Sequence, residues 1–195
     1  DHRDLHLSLR RQRQMCIRDS SKLAYHFIGG LLEHAESLAA ITNPVVNSYK
    51  RINAPRTTSG ATWSPNTVTY SGNNRTHMIR IPHSDRIEVR LADGAVNPYL
   101  LQAVLIGAGL RGVENKTDPG KRLDIDMYAE GHKVKNAPKL PLNLLDALRS
   151  FQNNKTMRSI LGAEFADSYV KLKMNEWNSY MQHFSDWERQ NALDV

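Results

Sequence analysis

Two short stretches in which apolar and charged side chains alternate constrain the fold of this chain most. They cover Thr76–Ile81 and Arg86–Leu91, and the four residues between them, beginning with Pro82, are typical of a turn. Successive side chains of a strand point to opposite faces, so Arg86, Glu88 and Arg90 are expected to share one face. The pattern predicts an antiparallel hairpin with one charged face and one apolar face.

The charged face of this hairpin is a candidate anion-binding site. If the two strands pair, Arg80 of the first strand comes close to Glu88, together with Arg86 and Arg90. Three guanidinium groups around one carboxylate leave excess positive charge, which suits a phosphate or a carboxylate ligand. The alternative is a solvated strand face with ordinary cross-strand ion pairs. The alternation alone leaves both interpretations open.

Most of the other segments have the apolar spacing of helices. Leu23–Ala40 is predicted to be helical up to Asn43-Pro44, and its Gly29-Gly30 pair indicates close packing against a neighbour. A buried helix is predicted from Asn97-Pro98 to Gly109. Further helices are predicted at Leu142–Phe151 and, as one long helix or a broken pair, at Phe165–Gln190. Residues 52–74 and 114–139 are predicted to be long loops.

Composition and charge exclude several classes of protein. The net charge of +6 is scattered, and no long basic block or nucleic-acid-binding motif accompanies it. No apolar run approaches the roughly 20 residues that span a bilayer. Cys16 is the single cysteine, so the chain has no disulfide framework and no cysteine-based metal site. We expect a cytoplasmic protein that binds neither nucleic acid nor membrane.

The chain divides into two unequal parts. Residues 1–20 are arginine-rich without a clear apolar period, and part of this segment resembles translated sequencing-adapter DNA. We expect this segment to be non-native or disordered, the alternative being a genuine basic N-terminal arm. Residues 21–195 are expected to form the folded part.

Four motifs occur in a fixed order within about fifty residues: N-S-Y-K-R at 47–51, N-R-T-x-x-I-R-I-P at 74–82, R-x-E-x-R at 86–90 and N-P-Y-L at 97–100. Together they resemble the C-terminal part of the catalytic domain of glutamine synthetase. The resemblance extends from about Leu23 to the C terminus. It implies an α+β fold, in which a curved antiparallel sheet is flanked by helices and the C-terminal part is largely helical.

The resemblance also implies a reaction and its participants. Glutamine synthetases are ATP-dependent glutamate–ammonia ligases that proceed through γ-glutamyl phosphate. They use Mg²⁺ or Mn²⁺ and form homo-oligomeric rings. The expected partners are therefore ATP, glutamate, and ammonia or another amine. The chain is expected to be an incomplete portion of such an enzyme and to be inactive alone.

Six residues match functional positions of the family. By resemblance, Glu88 binds the metal ion, and Arg51 and Arg90 bind the glutamate substrate. Arg80 and Arg86 bind ATP. Arg75 lies near the transferred phosphoryl group, as a catalytic and substrate-binding residue.

The loop after Arg51 departs from the family pattern. A glutamate in this loop usually takes a proton from ammonium, but no Asp or Glu lies between Arg51 and Asn74. A general base must reach its proton by a hydrogen bond, so this loop supplies no carboxylate base. The departure is most like the type III glutamate–ammonia ligase branch. Two alternatives stay open: a γ-glutamyl ligase that uses an alkylamine or polyamine, and a non-catalytic homologue.

A few other residues are weaker candidates. His77 and His83 flank the first predicted strand and are expected to be surface residues rather than metal ligands. Tyr128 lies where some family members carry a modified tyrosine, but its flanking residues match poorly. Trp177 and Trp187 are expected to contribute to the core or to a subunit contact.

Overall fold

The computed structural model describes residues 21–54 and 64–192. The helices are α1 Lys22–Glu33, α2 Ala35–Thr42, α3 Ser48–Ile52, α4 Pro98–Asn115, α5 Met127–Glu130, α6 Leu144–Asn153, α7 Lys155–Leu161, α8 Ala163–Met181 and α9 Asp186–Ala192. The strands are β1 Tyr70–Ser71, β2 Ile79–His83 and β3 Arg86–Val89, in the sheet order β1-β2-β3. The architecture is therefore helical with one small sheet, as expected of a C-terminal portion of the glutamine synthetase catalytic domain.

The predicted hairpin is present, with strand bounds that differ by a few residues. β2 and β3 pair antiparallel, Arg80 lies opposite Glu88, and the register is irregular between Arg80 and His83. On the other face, Ile87 and Val89 pack against the core and Leu91 is fully buried. β1 adds to β2 in parallel, so the sheet is mixed rather than antiparallel throughout.

Helices α1 and α4 cross with their backbones in contact. A Cβ atom on Gly30 would overlap the Ala108 carbonyl oxygen and the backbone of Gly112, and one on Gly112 would overlap His26 and Gly30. Only glycine permits this approach. The close packing predicted from Gly29-Gly30 is confirmed.

The helix predicted at 23–40 is divided in two. His34 (φ −104°, ψ 12°) ends α1, and its ring accepts a hydrogen bond from Asn154 Nδ2 at 3.0 Å. The end of α2 at Thr42, before Asn43-Pro44, agrees with the prediction. The polar contact to Asn154 comes from a residue 120 positions away, which apolar spacing cannot reveal.

The later helices match their predictions in part. The Asn97 side chain accepts from the amides of Tyr99 and Leu100, as the predicted helix start requires, but α4 continues to Asn115. The predicted helix at 142–151 lies at Leu144–Asn153, capped by Asn143. The long C-terminal segment is a broken pair, α8 and α9. Residues 114–139, predicted as a loop, also contain α5.

The core lies between α2, α6 and α8 and fixes the elements around the candidate site. Phe151, Leu148 and Leu38 are fully buried there, and the Tyr169 hydroxyl donates to the Ala40 carbonyl at 2.8 Å. At the end of α2, the amide of Asp93 donates to the Thr42 carbonyl at 2.9 Å. The segment that follows β3 is thereby attached to the helical core. Within the described ranges, no helix is long and apolar enough to cross a membrane.

Candidate active site

A cross-strand ion pair lies at the centre of the charged face of the hairpin. Arg80 Nη1 donates to Glu88 Oε2 at 2.7 Å, with 12% of the Arg80 side chain and 39% of the Glu88 side chain exposed. The other side of the Arg80 guanidinium donates to Asn73 Oδ1, through Nε at 3.0 Å and also through Nη2. The guanidinium of Arg80 is therefore held by hydrogen bonds on two sides, which fixes the position of its positive charge on the strand face.

Arg51 reaches the end of β3 from the last turn of α3. Its Nη2 donates to the Leu91 carbonyl at 2.8 Å and to the Ala92 carbonyl at 3.2 Å, and lies 3.4 Å from Asn43 Oδ1. Arg51 Nε is buried and has no partner among the residues that the structure describes. The guanidinium is anchored on one side and keeps an unused donor on another.

Arg90 is a half-buried charge at the end of the hairpin. Burial lowers the pKa of its guanidinium, and the nearby carboxylate of Glu88 opposes this shift. Three further positive charges lower the pKa of Arg90 as well: those of Arg80, Arg75 and Arg51. Its Nη1 is buried and unpartnered within the described part of the chain. A buried donor without a protein partner is uncommon, and an ordered water, an ion or a ligand can satisfy it.

Glu88 is ionised and surrounded by positive charge. The hydrogen bond from Arg80 lowers the pKa of Glu88, partial burial opposes it, and the charges of Arg80, Arg86 and Arg90 lower the pKa further. We call the five converging side chains the arginine cluster: Arg51, Arg75, Arg80, Arg86 and Arg90. One carboxylate offsets one of these charges, so the cluster can bind phosphate and carboxylate groups. The sequence-predicted convergence around Glu88 is thus present.

The described residues do not form a complete metal site. Among them, no group of three or more His, Cys, Asp or Glu side chains is placed to hold an ion. Glu88 offers a hard oxygen of the type that Mg²⁺ prefers, but its Oε2 accepts from Arg80. The residues present fit an anion, and they supply at most one ligand to a cation.

The weaker candidates have different outcomes. The expectation that His77 is a surface residue is wrong, because its ring is fully buried between Thr69 Oγ1 and the Ile125 carbonyl. His83 is exposed, as expected. Trp177 packs partly against the core, whereas Trp187 is 70% exposed on α9. A subunit contact at Trp187 stays a prediction, and so does the expectation that Tyr128 is not modified.

Two asparagines contribute to the site without having been predicted. Asn73 holds Arg80, and Asn43 lies beside Arg51. Asn73 directly precedes the second of the four motifs, and an amide side chain in a loop has many structural uses. The sequence does not show that Asn73, seven residues before Arg80, contacts it. This contact becomes evident only when the loop is seen folded against β2.

Fold and site together define a helix-rich α+β segment that carries an anion-binding arginine cluster. A family model described as the catalytic domain of glutamine synthetase matches residues 3–192. The chain belongs to the glutamine synthetase family, as the four motifs indicate. The match begins within residues 1–20, which lie outside the described residues, and the non-native character of that segment stays a prediction.

Individual relatives include two enzymes with different names. The glutamine synthetase of Rhizobium leguminosarum bv. phaseoli is 66% identical over 169 residues, covering 87% of this chain and 39% of the relative. The glutamate–methylamine ligase of Methyloversatilis universalis is 45% identical over 182 residues, covering 89% and 40%. A solved GmaS–ADP complex matches with 56% identity and a TM-score of 0.84, covering 90% and 40%. The chain spans about two-fifths of the length of these relatives.

Proposed function

We propose that the protein to which this segment belongs is an ATP-dependent glutamate–ammonia ligase that forms glutamine through γ-glutamyl phosphate. The observation that supports this most is the arginine cluster with its two buried, unused donors, on Arg51 and Arg90. The reaction brings the phosphates of ATP and the carboxylates of glutamate together. Their mutual repulsion must be offset by fixed positive charge before the reacting atoms can meet.

The two arginines with buried, unpartnered donors suit the smaller substrate. Arg51 is anchored by backbone carbonyls at the end of β3, and Arg90 directly precedes those carbonyls in the chain. Their unpartnered donors, Arg51 Nε and Arg90 Nη1, are proposed to bind the carboxylate groups of glutamate. A bound carboxylate would satisfy the donors and offset the charge that lowers the pKa of Arg90.

The other three arginines of the cluster suit the nucleotide. Arg80 and Arg86 are proposed to bind the ATP phosphates, and Arg75 to stabilise the phosphoryl group during transfer. A carboxylate oxygen of glutamate attacks the γ-phosphorus, and ADP leaves. The amine nitrogen then attacks the acyl carbon, the C–O bond to phosphate breaks, and phosphate leaves while the nitrogen loses a proton. Arginine is suited to each phosphate contact because its planar fork binds two oxygens at once.

Glu88 is proposed to contribute one ligand to Mg²⁺ or Mn²⁺, which would offset phosphate charge when bound. The described residues supply no complete metal site, so the remaining ligands would have to come from elsewhere in the full protein. Assembly into a homo-oligomeric ring is likewise proposed for the full protein. Its location in the cytoplasm stays a prediction.

A γ-glutamyl ligase that uses an alkylamine or polyamine is the second candidate. The segment from Ile52 to Asn73 contains no carboxylate to take a proton from ammonium. A relative with 45% identity is named a glutamate–methylamine ligase. An amine that arrives unprotonated needs less help from a base, so the missing carboxylate is less costly for such a substrate.

Phosphate release by the full-length protein tests the proposal. We expect release from ATP in the presence of Mg²⁺ and glutamate to be stimulated most by ammonia, in a comparison with methylamine, ethanolamine and putrescine. Strongest stimulation by an organic amine would move the assignment to the second candidate. No release with any amine would contradict both and favour a non-catalytic homologue.

Substitution of Arg90 tests the role of the cluster in the same assay. In Arg90→Gln the charged contact to glutamate is lost, which is expected to lower kcat/KM for glutamate roughly 10- to 150-fold. Arg111→Gln is the matched control, because Arg111 is half-exposed on α4 and pairs with Glu114. Equal kinetics for Arg90→Gln and Arg111→Gln would contradict a substrate-binding role for Arg90.

A further inference from the structure

The turn that carries Arg75 is held on both sides by a distant segment of the chain. Before it, Asn74 Nδ2 donates to the Ile125 carbonyl at 2.8 Å. After it, Thr76 Oγ1 accepts from the amide of Met127 at 2.9 Å. These bonds join positions about fifty residues apart, so local sequence does not dictate them.

His77 adds a third bond to the same segment from inside the fold. Its Nε2 lies 2.9 Å from the Ile125 carbonyl, and its Nδ1 lies 2.9 Å from Thr69 Oγ1. A carbonyl oxygen can only accept, so Nε2 carries the proton and donates. In the neutral ring Nδ1 then accepts from the Thr69 hydroxyl. The ring is fully buried with both nitrogens satisfied.

Two of the three side chains are also bonded to each other within the turn. Asn74 Oδ1 accepts from the amide of Thr76 at 2.9 Å and from its hydroxyl at 2.7 Å. Asn74 and Thr76 therefore fix each other, and each is bound to residues 125–127. We call this set of bonds the 74–77 clamp: the hydrogen bonds between Asn74 and Thr76, and those of Asn74, Thr76 and His77 with residues 125–127.

The charges around the site indicate that the 74–77 clamp does more than stabilise the fold. Arg75 is exposed, yet its charge is close enough to lower the pKa of Arg90. Like charges repel, and an exposed turn without long-range bonds would move its charge away from the other arginines. The clamp opposes this movement by fixing the residues on both sides of Arg75.

We infer that Asn74, Thr76 and His77 are positioning residues, which hold Arg75 in place against the repulsion of the arginine cluster while the site is empty. The kinetic consequence rests on the proposed function, since Arg75 is there the group that meets the transferred phosphoryl group. A misplacement of about 1 Å can cost on the order of a hundredfold in rate. His77 is the least expected member, because the resemblance assigns it no role.

Hydrogen exchange of the full-length protein tests the clamp without reference to activity. In Thr76→Val the acceptor for the Met127 amide is removed while the side-chain shape is nearly kept. We expect that amide to exchange at least about tenfold faster than in the parent protein. Thr76→Ser keeps the hydroxyl and is expected to exchange like the parent. Unchanged exchange in Thr76→Val would overturn the clamp.

A double-mutant cycle tests whether the clamp acts through Arg75. His77→Leu, with His77→Gln as the variant that can still donate to Ile125, is made in the parent and in Arg75→Gln. We expect His77→Leu to lower kcat roughly 10- to 100-fold in the parent, with KM for glutamate little changed, and His77→Gln to recover part of the loss. In Arg75→Gln the same substitution should cost no more than about twofold.

The outcomes separate this inference from the proposed function. An active parent in which the effects of His77→Leu and Arg75→Gln simply multiply would overturn the positioning role and leave the ligase assignment intact. If the parent releases no phosphate, the same cycle is measured through affinity for pyrophosphate. Loss of affinity in His77→Leu only when Arg75 is present would then support the clamp, and equal loss in both backgrounds would overturn it.

Discussion

His77 is a buried histidine whose protonation is linked to the stability of the fold. Burial lowers its pKa below the ordinary value of 6.5, while the Ile125 carbonyl and the charges of Asp124 and Asp126 oppose this shift. The folded chain therefore keeps the ring neutral at a pH where the unfolded chain has taken up a proton. The free energy of unfolding must decrease as the pH falls below the ordinary histidine pKa.

This linkage predicts a difference in pH dependence between two histidine variants. The thermal midpoint of His77→Gln should fall less steeply than that of the parent between about pH 7 and pH 5, because the proton uptake of residue 77 on unfolding is gone. His83→Gln, at an exposed position, should keep the parent slope. Burial also lowers the pKa of His34, so the thermal midpoint of every variant still depends on pH to some degree. Parallel curves for all three proteins would contradict the linkage.

At the scale of elements, the crossing of α1 and α4 depends on glycine rather than on helix propensity. Gly30 and Gly112 bring two backbones into contact, and Gly109 leaves room for the ring of Phe27. Alanine would be the better helix former at each position by up to about 1 kcal/mol. The space at the crossing, not the preference of the backbone, selects glycine there.

Gly112→Ala is accordingly expected to destabilise the protein by roughly 1–3 kcal/mol despite its higher helix propensity. The added methyl group meets the backbone of α1, which cannot rotate away. Gly131→Ala is the control, because Gly131 has helical backbone angles and its Cβ would meet only the Met127 side chain, at 3.4 Å. Chemical denaturation of both variants measures the difference. Equal stability would show that α1 moves freely from α4.

An element can be predicted from the sequence when the contacts that form it lie between residues close together in the chain. The hairpin and the start of α4 at Asn97 follow from neighbouring residues, and the Gly29-Gly30 pair is a local signal of close packing, although its partners lie on α4; the structure contains all three. The division of α1 from α2, the burial of His77 and the parallel pairing of β1 depend on contacts across 8 to 120 positions. α7 was not predicted because Asn154 caps only seven residues, too few for a clear period.

The candidate site shows the same limit. The alternation of Arg86–Leu91 predicts which charges share a face, and this is what the structure contains. The contributions of Arg51 and Arg75 came from the family resemblance, because neither lies on the strand pair. The contacts that hold these arginines come from Asn43, Asn74 and backbone carbonyls. Such polar contacts leave no periodic trace in a sequence.

At the scale of the whole molecule, the described surface combines a charged cluster with an exposed apolar C-terminal region. Leu172, Met181, Phe184 and Trp187 on and between α8 and α9 are each more than 60% exposed. Large apolar side chains grouped in this way often mark a contact with another protein surface. The chain also spans only about two-fifths of its relatives. We expect these exposed apolar side chains to lie in such a contact.

The 195-residue segment expressed alone is expected to release no phosphate above background, because its described residues contain no group of three or more side chains placed to hold a metal ion. It should still bind pyrophosphate through the arginine cluster, seen as a rise in thermal midpoint of roughly 2–4 °C per kcal/mol of binding free energy. A segment in which five arginines of the cluster are replaced by glutamine should show no such rise. Turnover by the isolated segment would contradict the expectation.

The crowding of like charges in the arginine cluster has a practical consequence for handling the protein. The positive charges of the arginine cluster repel one another when the site is empty. A small oxyanion that binds there is therefore expected to stabilise the folded protein and to compete weakly with the substrates. Storage in phosphate or sulfate would keep the protein folded for longer and at the same time lower its apparent affinity for the substrates. Assays in chloride at low ionic strength would reverse both effects, so buffer choice alone could make two laboratories disagree about affinity.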